Sequence, residues 1–432
     1  MKGKTDTKKI VAFDFASTGI RAVAAEVMED NSVRILSEES RKAEGVKHGI
    51  IGQPSGTAFS ISALWKELQN SAELKDTVKS FSTSFGGRSM SIVRATVEKK
   101  LSKLKAITEE QIDAMALECE QSYQKEGMLI YDTIPVMYEL DGKVLEKPEG
   151  LKGSRIVGTY HLVVGNELMK TQLDKCMERI YNCSIEFMPL AADAFSIAVT
   201  DEPERKEGCA VINLGDTSTT LAIYQNEILQ QLLVVPLGGR NITHDIEEIG
   251  ISEAHAEKLK CLKGTAKQEY IDKAVNIKIP SREPDAEPVV VQNTFLAMVI
   301  EARLDEMFQP IFEMLQQHAD DLPHGIILTG GGASLNKICE YINENTGIAT
   351  RYGDHTDWLT PDTPQKYGAF EYSQLIGTIL LTQSNREDKK PVETETVGSK
   401  KKSPKRKSLR EFFTQGFIDF FEDDTDLSQG NR

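Results

Sequence analysis

The sequence predicts an α/β protein whose two similar halves face each other across a cleft. Three observations predict it. A strand, a turn of small residues and a second strand occupy residues 8–27, and the same pattern recurs about 200 residues later, near residue 210. A buried strand at 325–330 runs into three consecutive glycines. Between the repeats, residues 84–165 form a block of different style that reads as an inserted α+β unit. A chain of 432 residues is long enough for two or more domains with real cores.

In chain order, Ile10-Val-Ala-Phe-Asp14 is a short apolar run ending on an acid. Ala16-Ser-Thr-Gly19 is the turn, and Ile20 to Val27 resumes in β character. Within the block, Ser91–Val97, Met128–Glu139 and Ser154–Val164 are strand-like, and Thr108-Glu-Glu-Gln111 has the capping-box spacing that opens a helix through Ser122. Leu168 to Tyr181 reads as a helix. The repeat follows as Ala210–Leu214, Gly215–Thr219 and Thr220–Tyr224. Ser252–Leu262 is a charged helix, 280–288 a Pro-containing loop, and Gln292–Gln317 a long amphipathic helix. Asn336–Asn345 is the helix expected after the glycines. Residues 384–408 have almost no apolar content and read as a disordered linker spanning roughly 25–30 Å.

The net charge of −15 argues against general nucleic-acid binding and sets the basic C-terminus apart. No apolar run reaches transmembrane length, and nothing before Asp14 resembles a signal peptide. Cys119, Cys176, Cys183, Cys209, Cys261 and Cys339 form no CxxC pair, so buried thiols in a reducing compartment are expected. The histidines are far apart and read as ordinary surface or core residues.

Seven basic and seven bulky apolar residues crowd into Lys400–Phe421. Leu409, Phe412, Phe413, Phe417, Phe420 and Phe421 recur at spacings of three and four, so a helix gathers them on one face. Lys405, Arg406, Lys407 and Arg410 form a basic collar. Three readings compete: a helix docking on a partner protein, a basic nucleic-acid or localisation run, and a membrane-surface helix. Collar plus aromatic stripe is what the last needs. A fully buried large apolar side chain contributes roughly 1.5–3 kcal/mol, and each basic residue near anionic lipid about 1 kcal/mol. Even at half value these give reversible membrane binding, which clustering of several chains strengthens.

Turns of Gly, Ser and Thr between strands expose backbone N–H groups, and such nests favour phosphate oxygens. One turn is a weak signal. Two, each opening one half, and a Gly-rich strand–helix junction strengthen it.

These three elements, in this order, resemble the superfamily of actin, Hsp70 and the sugar kinases. Phosphate-1 is Asp14-Phe-Ala-Ser-Thr-Gly19, phosphate-2 is Asn213-Leu-Gly-Asp-Thr-Ser-Thr-Thr220, and the adenosine element is Leu328-Thr-Gly-Gly-Gly-Ala-Ser-Leu335. Within the superfamily the chain resembles the FtsA family of actin-like membrane tethers in bacterial division. Further segments carry that resemblance: Gly86-Gly-Arg-Ser-Met-Ser-Ile-Val93, Ile107-Thr-Glu-Glu-Gln-Ile112, Val235–Thr243, Ala256-Glu-Lys-Leu-Lys260 and Val299–Glu306.

The resemblance implies a two-lobed actin/Hsp70-like ATPase fold. Lobe 1 would begin at 1–83 (subdomain 1A), with subdomain 1C inserted at 84–165 and a return to 1A at 166–205. Lobe 2, with subdomains 2A and 2B, the adenosine motif and a return to 1A, would occupy 206–383. A linker at 384–405 and an amphipathic membrane-targeting helix at 406–422 would follow. It also implies ATP with Mg2+. Asp14 would lie near the metal through water. Ser17, Thr18, Gly19, Gly215, Thr217 and Ser218 would face the phosphates, and Gly238 and Gly239 would approach the nucleotide closely. Glu257 and Lys260 would hold ribose and base, and Gly330, Gly331 and Gly332 would line the adenosine. The implied partners are the C-terminal peptide of FtsZ, bound by subdomain 2B, a polymer of the chain itself, other division proteins and an anionic membrane, with no nucleic acid. The implied place is the cytoplasmic face of the cell membrane at the division site. Arg303 reads either as a helix-face ion pair or as a structural arginine near the interdomain region.

The chain departs from the superfamily pattern in phosphate-2, where Asn213 replaces an acid, Asp216 and Thr217 stand at glycine positions, and Thr220 ends the turn. Ala16 replaces a glycine, and Met188 stands where actin-like filament proteins often place a water-orienting Glu or Gln. A thioether cannot orient water for attack. ATP binding with slow or absent hydrolysis is therefore expected, with Asp14 or Asp216 as the available acids. The competing functions are a sugar-kinase-like phosphotransferase, suggested by Arg21 after phosphate-1, and an actin-like protein of another envelope machine such as pilus assembly.

Overall fold

Local pairing builds the first lobe. In this computed structural model, which describes residues 8–388 apart from 43, 44, 48, 49, 73, 75–77, 103, 104 and 284, β1 (Lys8–Phe15), β2 (Ile20–Val27) and β3 (Val33–Arg41) form an antiparallel meander. A short hairpin, β4 (Val46–Lys47) with β5 (Ile50–Ile51), leads to helix α1 (Pro54–Ser71). Strand β6 (Ser80–Thr83) then runs parallel to β1.

The inserted block follows: β7 (Ser91–Lys100), α2 (Glu109–Ser122), β8 (Met128–Leu140), β9 (Lys143–Leu145) and β10 (Arg155–Asn166). Its sheet has the order β7-β10-β8-β9. Thr108 and Gln111 close the expected capping box at the start of α2, each side chain bonded to the other residue's backbone N–H. Met115, Ala116 and Cys119 of α2 pack on Tyr138, Ile156 and Tyr160 of the sheet.

Lobe 1 resumes with α3 (Leu168–Met177), β11 (Ser184–Phe187), α4 (Ala191–Val199) and α5 (Glu202–Glu207). Its sheet order is β11-β6-β1-β2-β3. Lobe 2 repeats that plan. Strands β12 (Cys209–Leu214), β13 (Thr219–Gln225) and β14 (Ile228–Val235) form the meander. Next come α6 (Gly239–Glu247), α7 (Glu253–Lys263), a hairpin of β15 (Asn276–Ile279) and β16 (Val289–Gln292), and α8 (Asn293–Gln317). Strand β17 (Ile326–Thr329), helix α9 (Ile338–Thr346), β18 (Thr350–Tyr352) and α10 (Ser373–Asp388) complete the described chain. Because β17 is parallel to β12 and β18 to β17, the order β18-β17-β12-β13-β14 matches lobe 1 strand for strand.

The sheet of each lobe is covered on both faces, which is why β1 and β12 are apolar over Ile10–Phe13 and Cys209–Ile212. Helices α1 and α3 cover one face of lobe 1, and α6 and α8 cover one face of lobe 2 through Ile242, Ile246, Leu296, Ile300 and Phe308. Helix α10 packs on β1 and β6, and α4 on β13 and β17. The two helices cross so closely that a Cβ on Gly377 would collide with the carbonyl of Ala194.

Two expectations need correction. The linker was expected from residue 384, but 384–388 are the end of α10; the rest of the linker and the tail at 406–422 lie outside the described residues. The helix expected at Asn336–Asn345 is α9, which follows a 3-10 turn at Gly331–Ser334 and Lys337 in the left-handed region at φ 67°. Of the six thiols, Cys119, Cys176, Cys209 and Cys339 are buried, but Cys261 is exposed. Among the described residues no group of His, Cys, Asp and Glu is arranged to hold a metal.

Candidate functional site

The two meanders place their first turns face to face. Ser17, in the turn between β1 and β2, and Thr217, in the turn between β12 and β13, are 2.7 Å apart, hydroxyl to hydroxyl. Small residues make both turns tight. Gly19 N–H bonds to Ala16 O at 3.2 Å, and Gly215 N–H to Ser218 O at 3.0 Å. Thr18 is exposed, and Ser218 is partly so.

Asp14 is the last residue but one of β1 and leads into the first turn. It keeps some accessible surface, but close packing of protein around it pushes its carboxyl pKa up, against the pull of Arg21. Gln374, on α10, donates from Nε2 to Asp14 Oδ1 at 3.3 Å and to Ser84 Oγ at 3.0 Å. Sequence reasoning missed Gln374 and Ser84. Gln374 reaches Asp14 and Ser84 only because α10 returns to β1 after 360 residues, and no local pattern marks Gln374 or Ser84.

The second turn is fixed to the start of α6. Gly239 N–H donates to Gly215 O at 2.9 Å and Arg240 N–H to Asp216 O at 2.7 Å. Gly238 lies so close that a Cβ there would stand 2.6 Å from Gly215 O. Glu257 and Lys260 of α7 reach the same helix. Lys260 Nζ donates to Glu257 Oε2 at 2.7 Å, Thr243 Oγ1 at 2.8 Å and Gly239 O at 2.9 Å. Burial alone would raise the Glu257 carboxyl, but the hydrogen bonds from Lys260 and Thr243 outweigh it and hold the pKa below its ordinary value.

The third element closes on the second. Gly330, at φ 86° and ψ 162°, packs against Asn213 and the carbonyl of Leu214, and Gly332 packs on the Leu214 side chain. Gly331 is open: nothing lies nearer an added Cβ than Glu371 Cβ at 3.9 Å. Thr329, just before these glycines, donates to Ser373 Oγ at 2.8 Å at the start of α10. The structure therefore brings the three glycine, serine and threonine elements together with Asp14, Glu257 and Lys260.

Other candidates are engaged by partners of their own. Asp216 lies 2.9 Å from Arg240. Met188 is half-buried against the lobe 1 core. Arg21 lies 4.2 Å over the Tyr372 ring and contacts Glu38 at 3.3 Å and Glu371 at 3.2 Å. Arg303 is a tie within lobe 2, gripping both carboxylate oxygens of Asp245 at 2.5 and 2.7 Å.

This geometry can be set against known proteins. Residues 210–377 match the family model described as "Cell division protein FtsA". The FtsA of Bacillus subtilis (strain 168) is 29% identical over 340 residues, covering 75% of this chain and 74% of that one. The FtsA of Escherichia coli (strain K12) is 24% identical over 345 residues, covering 77% and 81%. The chain is similar to FtsA proteins over about three quarters of its length. Solved structures bear on the fold alone. A PilM–PilN type IV pilus biogenesis complex superposes with TM-score 0.59 at 14% identity, covering 87% of this chain and 98% of that one. MreB5 of Spiroplasma citri, bound to ADP, gives 0.53 at 12%, covering 89% and 99%. The chain thus has the actin-like ATPase fold, with α10, the last described element, reaching Asp14 through Gln374.

Proposed function

We propose that the chain is an ATP-binding, actin-like protein of bacterial cell division that self-associates and tethers FtsZ filaments to the membrane. The observation that carries the nucleotide part is the meeting of Ser17 and Thr217 beside Asp14, with Gly238 and Gly330 pressed against the same turn. Side chains are kept off the backbone where phosphates need N–H groups. The residues fit Mg-ATP. Ser17, Thr18, Gly19, Gly215, Thr217 and Ser218 would take the phosphates, with Gly238 and Gly239 alongside. Gly330, Gly331 and Gly332 would take the adenosine, and Glu257 and Lys260 the ribose and base. Asp14 would hold the metal through water. Mg2+ supplies charge neutralisation of the polyphosphate when bound. The nucleotide must part Ser17 from Thr217, so binding acts on the lobe arrangement directly.

Hydrolysis is slow or absent on this reading. Met188 packs into the lobe 1 core, Asp216 is engaged by Arg240, and Asn213 carries no charge. Arg21, the kinase-like feature, turns to Glu38 and Tyr372, which removes support for a sugar kinase.

The subdomain built from α7, the β15–β16 hairpin and the start of α8 exposes Leu262, Val275, Val290, Phe295 and Met298. A surface of that kind suits the apolar side of a peptide, here the FtsZ C-terminal peptide. Membrane attachment rests on the sequence of 406–422. No helix among the described residues is long and apolar enough to cross a membrane, and a basic, aromatic surface helix would place the protein at the cytoplasmic face of the division site.

Sedimentation and flotation test the reading. The full chain should carry FtsZ filaments onto anionic liposomes in the presence of ATP, with few phosphates released. A chain lacking 406–432 should stay folded and no longer float. Unchanged flotation of the shortened chain, or release of several phosphates per minute, refutes the corresponding part.

A further inference from the structure

A carboxylate inside a phosphate-binding turn is a chemical contradiction, because its charge repels the ligand the turn is shaped for. Asp216 is such a carboxylate, set between Gly215 and Thr217. Its partner is Arg240, in the first turn of α6, with Nη2 2.9 Å from Oδ2. The contact lacks the alignment of a hydrogen bond. It is a charge contact, and the contacted oxygen Oδ2 is itself buried, although the two side chains as a whole are 21% and 39% exposed. The backbones, in contrast, are locked: the carbonyls of Gly215 and Asp216 occupy the N–H groups of Gly239 and Arg240. Those two donors at the helix start are therefore spent on the turn. Two cationic side chains stand at this place: Lys260, which is paired with Glu257 at 2.7 Å, and Arg240, which faces Asp216.

We propose that Arg240 is a specificity-determining residue of the phosphate-2 turn. It cancels the Asp216 charge so that the turn accepts a nucleoside polyphosphate, and it sets how much negative charge the turn tolerates. The inference rests on the nucleotide reading above. Without Arg240 the uncompensated carboxylate opposes each added phosphate, so a triphosphate suffers more than a diphosphate.

Fluorescent ATP and ADP analogues with Mg2+, titrated into the full chain, test this, with thermal melts as the check on folding. Arg240→Ala should weaken ATP about tenfold or more, and ADP less. The double variant Asp216→Gly with Arg240→Ala should return to within about threefold of the unaltered chain, because both charges are gone. Asp216→Asn, which keeps the shape of the turn, should bind ATP more tightly and serves as the second route should Arg240→Ala not fold. An Arg240→Ala chain that binds like the unaltered one, or a double variant as weak as the single, overturns the role of the pair and leaves the nucleotide site standing. So does an Asp216→Asn chain with unchanged affinity. Failure of the unaltered chain to bind either nucleotide overturns the site and the pair together.

Discussion

Replacing Gly330 with alanine tests the packing of the third element on the second. The magnitude has two parts. At φ 86° and ψ 162° the backbone occupies a region reserved almost wholly for glycine, and forcing another residue there costs about 1–3 kcal/mol. The new Cβ would also run into Asn213 Oδ1 and stand 2.7 Å from Leu214 O. That carbonyl belongs to β12, which is paired with β13 on one side and β17 on the other, so it cannot withdraw. Overpacking of this kind adds about 1–3 kcal/mol. The expected loss is about 3 kcal/mol or more. At roughly 2–4 °C per kcal/mol for a unit of lobe size, the melting temperature should fall by roughly 6 °C or more. Gly331→Ala is the internal control. Its φ is not positive, and the nearest atom to the new Cβ is 3.9 Å away. Alanine there reduces unfolded-chain entropy and should be neutral or stabilising by up to about 1 kcal/mol. Thermal melts followed by circular dichroism compare the two. If Gly330→Ala and Gly331→Ala melt alike, the close packing of Gly330 on β12 is refuted.

The hydroxyl contact between the lobes should appear in a double-mutant cycle of Ser17→Ala and Thr217→Ala as a coupling of about 0.5–1.5 kcal/mol in urea unfolding; strict additivity would show that the turns do not meet. Burial would raise the Glu38 carboxyl, but bonds from Lys366 and Tyr372 and the charges of Lys366 and Arg21 hold it below its ordinary value. A depressed folded pKa stabilises above the unfolded value of about 4.3 and is lost as pH falls through the folded one. Glu38→Gln should accordingly melt lower at neutral pH and lose less than the unaltered chain on acidification below about pH 5, as pH-dependent melts will show. Arg303→Lys keeps the charge and loses the two-pronged grip on Asp245, so chemical denaturation should report a loss of about 1 kcal/mol; no loss would make the grip incidental.

What the sequence disclosed was what neighbouring residues encode. Strand, turn and strand in each half are local, so the repeat was legible, and the small residues at 16–19 and 215–219 forced tight turns wherever those strands went. The capping box of Thr108 and Gln111 was legible for the same reason. The helix after the adenosine glycines was legible to within two residues of its start. The 3-10 turn before it was not, because it is set by the positive φ of Gly330 and of Lys337 on either side. The end of α10 was read as linker because its last turn is polar, yet Arg386 ties it to Glu186 on β11 and to the backbone of Lys9. Gln374 and Arg240 were invisible for a different reason. Each acts through a partner fixed by topology, and a single Gln or Arg on a helix has no signature of its own.

The inserted block shows how far such topology reaches. By sequence it interrupts lobe 1, and nothing in its strands announces contact with lobe 2. In the fold, its edge strand β7 lies against β14, the edge strand of the lobe 2 sheet. The buried His161 of β10 meets the Leu229 carbonyl on β14 at 3.0 Å. Because a carbonyl only accepts, Nδ1 carries the proton, and burial holds the ring's pKa below its ordinary value. Around this contact one apolar cluster contains Met90, Tyr131 and Val163 from the block and its approach, Phe195 from α4, and Ala222 and Leu232 from lobe 2. A rotation that separates Ser17 from Thr217 therefore cannot leave the block behind. It must either carry the block along or shear a cluster whose exposure costs about 25 cal/mol for every Å2 wetted. Carrying the block along keeps that cluster dry, so opening of the cleft should displace the block with it.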